Sequence, residues 1–137
     1  MPLVRVEANA PAPDRVRRRV VADLAAHQPP GRPVVPLVQP VHDRLGVEIA
    51  RGCTRGCRFC QAGYLYRPVR ERPPAQVRAA ALEGLAATGL EEVGLLSLSS
   101  GDYSCIEPLA GALMDELEPR GGSLSLPSLR VDSLSDG

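Results

Sequence analysis

Three cysteines stand within eight residues, Cys53-Thr54-Arg55-Gly56-Cys57-Arg58-Phe59-Cys60, separated by three and then two residues. Thiols spaced this closely serve either a disulfide or a metal. Disulfides belong to oxidising compartments and need a specific Cα separation, which a tight loop rarely offers, so a metal is the better use. A structural zinc ion takes four protein ligands. The fourth would have to be Cys105, 45 residues beyond Cys60, or His27 or His42 in the Pro-rich leader. Iron-sulfur clusters are also held by thiolates. Three thiolates from one loop can bind three irons of a cubane and leave the fourth iron open to a non-protein ligand. An open iron implies chemistry, whereas a fourth thiolate would close the site and leave an electron carrier. An enzyme, a closed-cluster carrier and a zinc-stabilised binding module all remain compatible with the cysteines taken alone.

The charges around these cysteines are unevenly spread. The 137-residue chain has 16 basic groups, all Arg, against 16 acids, so its formal net charge is zero. No global field draws in nucleic acid, and none is expected as a partner of this segment. Locally, seven Arg face one acid, Glu71, between Arg51 and Arg78, and eight acids without any Arg follow from Ala79 to Glu118. A cationic block that begins among thiols suits an anionic ligand or cluster, although such blocks are often only solvated surface. There is no run of about eighteen apolar residues and no signal-like segment at the amino terminus, so a cytoplasmic protein without a membrane partner is expected. The length allows one domain at most, with a core of Leu, Val and Ala.

The elements that must carry the cysteines read as follows. Residues 1–44 form a leader or linker. Asp14 caps a short predicted helix to Ala25 with Val16, Val20 and Leu24 on one face, and Pro29, Pro30, Pro33, Pro36 and Pro40 enforce an extended connector beyond it. From Leu45 strand and helix alternate. Val47 and Ile49 mark a first strand ending at Arg51-Gly52, directly before the cysteines. Pro73-Pro74 opens a helix with Val77, Ala81, Leu82 and Leu85 on its apolar stripe and Gly89 at its C-cap. Val93 to Ser99 is a second strand, Ile106 to Leu117 a second helix stopped by Pro119, and Ser123 to Val131 a third strand weakened by Pro127. This order is that of parallel βαβ units, in either an open sheet or a (β/α) barrel. Ligands gather at the carboxyl ends of such strands, where the Cys loop, the Ser100-Gly101-Asp102 loop and Arg130 would meet. Gly63 and Gly101 read as tight-turn residues, Tyr64, Tyr66 and Tyr103 as packing around the loop, and Cys105 as a small buried apolar group. With three strands the α/β chain reads as a fragment of a longer protein, residues 45–137 being the start of its core domain.

The string Cys53-x-x-x-Cys57-x-Phe59-Cys60, on the loop after the first strand of a βα series, resembles the signature of the radical S-adenosylmethionine superfamily. The longer run from Arg51 through Gly63 to Arg72 is similar to members that often carry a cobalamin-binding-type domain ahead of the barrel. The resemblance covers Leu45 to Val131 and implies the opening units of a TIM-like parallel (β/α) barrel. It implies a 4Fe-4S cluster on Cys53, Cys57 and Cys60 and S-adenosylmethionine chelated to the unique iron. It also implies reductive cleavage of that cofactor to a 5′-deoxyadenosyl radical that modifies a substrate not identified by the sequence. A low-potential electron donor is the implied partner, and cobalamin could be used through a domain not present here. Phe59 would lie against the adenine. Ser100, Gly101 and Asp102 stand where the family usually offers Gly-Gly-Glu to the methionine amino group, a departure that shortens the acid by one methylene. Arg55 and Arg58 would offset the thiolate charge.

Overall fold

The computed structural model describes residues 17–133. Asp14 and Val16, at the start of the predicted leader helix, lie outside the described residues, as do residues 134–137. Five short strands and three helices follow in the order β1 (Leu45–Glu48), β2 (Ala50–Arg51), α1 (Ala62–Leu65), β3 (Arg70–Glu71), α2 (Pro74–Thr88), β4 (Glu92–Leu96), α3 (Ile106–Leu117) and β5 (Ser123–Ser125). Strands β1, β4 and β5 form a parallel sheet in the order β1-β4-β5, with Leu45 opposite Val93 and Val93 opposite Leu124. The protein is therefore a mixed α/β structure built on parallel βαβ units, as the alternation of elements predicts.

Period-two alternation explains which face of the sheet is buried. Leu45 and Val47 of β1, Ile49 just beyond it, and Val93 and Leu95 of β4 point to one side and form the core with Val77 and Ala81 of α2 and Leu109, Leu113 and Leu117 of α3. A helix stripe of this width supplies the complementary surface. Pro74 begins α2 where its missing N–H costs nothing, and Gly89 ends it with φ of 75°. On the opposite face Leu96 and Gly46 are exposed, and the Arg44 side chain crosses Gly94 to reach Glu92 and Ser125. Among the described residues no helix is long and apolar enough to cross a membrane.

Three local expectations are corrected. The leader is not helical over 17–25. The Val21 carbonyl, which the Ala25 N–H would take in a helix, accepts instead from Arg70, and Ala25 N donates to Asp23 Oδ1. Leu24 is buried and Val20 exposed, so the two do not share an apolar face. Second, the first strand divides at Ile49, which accepts from Arg72 N and donates to Leu96 O. Its second half pairs antiparallel with β3, Ala50 opposite Glu71 and Arg51 opposite Arg70. Third, the second and third strands are shorter than predicted. The chain leaves the sheet at Ser97, and beyond Ser125 the Pro127 turn replaces ladder pairing, with Ser128 O kept alongside by the Ser100 N–H.

Candidate functional site

The two-stranded ribbon of β2 and β3 is what positions the cysteines. It clamps both ends of the segment from Gly52 to Val69 at the carboxyl end of β1. Gly52 turns the chain with φ of 86°, and a Cβ there would lie 2.6 Å from Tyr66 O and 2.7 Å from Pro68 O, so only glycine fits. Backbone carbonyls of the loop are held from several sides. Cys60 N donates to Cys57 O at 3.0 Å, Tyr64 Oη to Gly56 O at 3.0 Å, and Arg67 Nε to Cys53 O at 3.3 Å. Arg67 lies over the Tyr64 ring at 5.0 Å. Cys53, Cys57 and Cys60 are free thiols, each half-buried. A Cβ on Gly63 of α1 would lie in ordinary contact, 3.9 Å from Cys60 Sγ and 4.0 Å from the Cys53 Cβ. The helix backbone thus forms the wall behind two of the thiols.

Two of the sulfurs also accept polar hydrogens. The Arg55 backbone N–H points at Cys53 Sγ at 3.5 Å, and Arg130 Nη1 at Cys57 Sγ at 3.8 Å. The guanidinium of Arg130 is gripped through Nε and Nη2 by the two carboxylate oxygens of Asp132, at 2.8 and 2.6 Å. Arg130 is held above, and Asp132 below, its ordinary protonation range by this hydrogen-bonded pair.

The loop after β4 closes the site from the other side. Asp102 receives Nε of Arg55 on both carboxylate oxygens, at 3.0 and 2.9 Å, and Arg55 Nη2 reinforces the fork. This hydrogen bond holds the Asp102 carboxyl below the usual range and Arg55 above it. Ser99 Oγ is buried and has no hydrogen-bond partner among the described residues. Its hydrogen-bonding capacity is unused. It lines a cavity of about 240 Å³ together with Cys53, Thr54, Asp102 and Tyr103. A larger hollow of about 530 Å³, bordered by Glu48, Arg51, Leu96 and Leu98, shares Ala50 and Gly52 with it.

Of the residues singled out from the sequence, Cys53 and Asp102 meet at the small cavity, Arg55 bonds Asp102, and Arg130 reaches Cys57; Cys57 and Cys60 do not line that cavity. Gly101 lies under the 130–133 turn, where a Cβ would collide with Ser133, so close approach rather than backbone freedom demands glycine. Ser100 points inward: its Oγ is fully buried and donates to Leu95 O at 3.2 Å. Phe59 stands in solvent, 92% exposed. Tyr64 packs on the loop as expected, Tyr103 is in the core, and Cys105 is half-buried at the core's edge beside Tyr103 rather than enclosed. Sequence reasoning missed Ser99, Arg67 and Arg72. Arg72, 3% exposed, donates to Leu24 O, His27 O and Glu48 O and ties leader, ribbon and sheet together.

Among the described residues no three His, Cys, Asp or Glu side chains are grouped as a site for a metal ion. A single zinc would need its thiolates gathered about 2.3 Å from one point. A cluster spreads its thiolate ligands over separate irons. Cys53, Cys57 and Cys60 are of the ligand type that such a cluster takes.

Over 90 residues, 66% of its length, the chain is 40% identical to an uncharacterised protein, MJ0966, of Methanocaldococcus jannaschii. It spans 19% of that relative. No family model and no solved structure matches the chain.

Proposed function

We propose that the chain is part of a cytoplasmic radical S-adenosylmethionine enzyme, its parallel sheet the opening of a (β/α) barrel. The observation that carries this reading is the set of three free, half-buried thiols, Cys53, Cys57 and Cys60, on one clamped turn at the carboxyl ends of parallel strands. Both helices packing on one face of that sheet, with Leu96 open on the other, supports the barrel. When bound, a 4Fe-4S cluster would supply the electron that reductively cleaves S-adenosylmethionine to a 5′-deoxyadenosyl radical, drawing on a low-potential donor. Cys53, Cys57 and Cys60 would hold that group. Asp102 offers a carboxylate, and Ser99 an unpaired hydroxyl, to a ligand's amino group in the small cavity. The ribbon keeps the turn fixed, so that what binds beside it is oriented before it reacts.

Anaerobic reconstitution with iron and sulfide tests the proposal. A brown chain with about four irons is expected, with loss of colour in Cys53→Ala, Cys57→Ala and Cys60→Ala and retention in Cys105→Ala. A colourless chain, or loss of the cluster in Cys105→Ala, would rule the reading out.

A further inference from the structure

We propose that Arg130 is a positioning residue for the Cys57 sulfur and that its N–H sets the reduction potential of the group held there; this rests on the proposed function above. The two residues are 73 positions apart in the chain, yet Arg130 Nη1 lies 3.8 Å from Cys57 Sγ. The approach is directed. A guanidinium is a rigid planar fork, and Asp132 occupies Nε and Nη2 with its two oxygens, so the remaining nitrogen, Nη1, is presented to the sulfur. The turn that carries the pair is itself fixed. Ser133 Oγ donates to Arg130 O at 2.7 Å and accepts from Arg130 N at 3.2 Å, and Ser133 is seated on Gly101.

The three sulfurs are then inequivalent. Cys53 receives a backbone N–H, Cys57 a guanidinium N–H, and Cys60 has only the Gly63 backbone as a near neighbour among these contacts. Asp132 offsets the charge of Arg130 at long range, so the effect is local and runs through the hydrogen bond. Reduction adds an electron that is partly borne by the thiolate sulfurs. A donor aimed at one of them stabilises the reduced state and raises the potential. Arg55 cannot serve this role in the same way, because its side chain is spent on Asp102.

The test is a potentiometric titration of the reconstituted chain, read by the signal of the reduced cluster, for the wild type and Arg130→Gln at matched iron content. At a fixed ambient potential the reduced-to-oxidised ratio is expected to fall about tenfold in the variant, which is about 59 mV for one electron. Should Arg130→Gln not load, Arg130→Lys, which keeps the charge and loses the planar fork, should show a fall of at least about threefold. A variant that loads normally and titrates with the wild type overturns the inference while leaving the proposed function standing. A wild-type chain that takes up no cluster removes the foundation of both.

Discussion

Tyr103 should announce itself in an alkaline titration. It follows Asp102, is buried, and donates its hydroxyl to Arg72 O at 2.7 Å, which pins the loop after β4 to the end of the β2/β3 ribbon. Burial, with the nearby Cys105 and Glu71 adding to it, pushes its phenol up to about 12. In the unfolded chain the same group ionises near its ordinary value of 10.0. The folded state therefore holds a proton that the unfolded state has lost. Its contribution to stability is complete below pH 10 and is lost as the pH rises through about 12. The chain favours the measurement, since it has three Tyr, no Trp and no Lys to titrate in the same window. The tyrosinate absorbance of Tyr103 should be delayed towards pH 12, and that delayed portion should be absent in Tyr103→Phe. The substitution keeps the ring and opens no cavity. It removes one hydrogen bond and leaves the Arg72 carbonyl without its donor, a loss of about 1–2 kcal/mol. The melting midpoint at neutral pH should drop by roughly 4–8 °C. Complete ionisation of all three phenols well below pH 12, or a Tyr103→Phe chain that melts with the wild type, would refute the assignment of Tyr103 as the buried anchor.

Further outcomes follow from other parts of the structure. Asp102, held below its ordinary 3.8 by Arg55, should stabilise the fold above that value and lose the contribution as the pH falls through its lower folded value. Melting curves from neutral to acid pH should be flatter for Asp102→Asn. Leu113, fully buried between α3 and the sheet, should cost about 2–5 kcal/mol on conversion to Ala, read by urea unfolding. Gly52→Ala must move the carbonyls of Tyr66 or Pro68 and adopt a left-handed φ, so it should destabilise the chain by at least about 1–3 kcal/mol and reduce iron uptake. Normal stability and iron content in that variant would contradict the tight passage at the start of the Cys loop.

The regular elements were legible because their signals are local. Val77, Ala81 and Leu85 repeat at helical spacing between Pro74 and Gly89, and α2 occupies that interval; Ile106, Leu109, Leu113 and Leu117 do the same for α3. The parallel order follows from the alternation of these helices with strands. The ribbon was not legible, because Ala50–Arg51 and Arg70–Glu71 are two residues each and are defined by pairing across 18 residues of loop. The leader departs from its periodicity for a related reason. Its periodicity at Val20 and Leu24 suits a helix, but Arg70 takes the Val21 carbonyl from outside the segment and the Asp23 side chain takes the Ala25 N–H. At the site, the spacing of the cysteines and the convergence of Asp102 with them could be read from motif and topology. The inward turn of Ser100, the orphan Ser99 and the Arg130–Asp132 fork depend on where the chain leaves β4 and β5, a boundary that propensity does not set.

The central claim is that the three thiols leave one iron open to S-adenosylmethionine. The most direct measurement is the electron paramagnetic resonance spectrum of the reduced, reconstituted chain before and after adding that compound. The account predicts a changed spectrum on addition, retained in Cys105→Ala and absent in Cys57→Ala. A reduced cluster whose spectrum is indifferent to S-adenosylmethionine, or one that needs Cys105 to form, would contradict it.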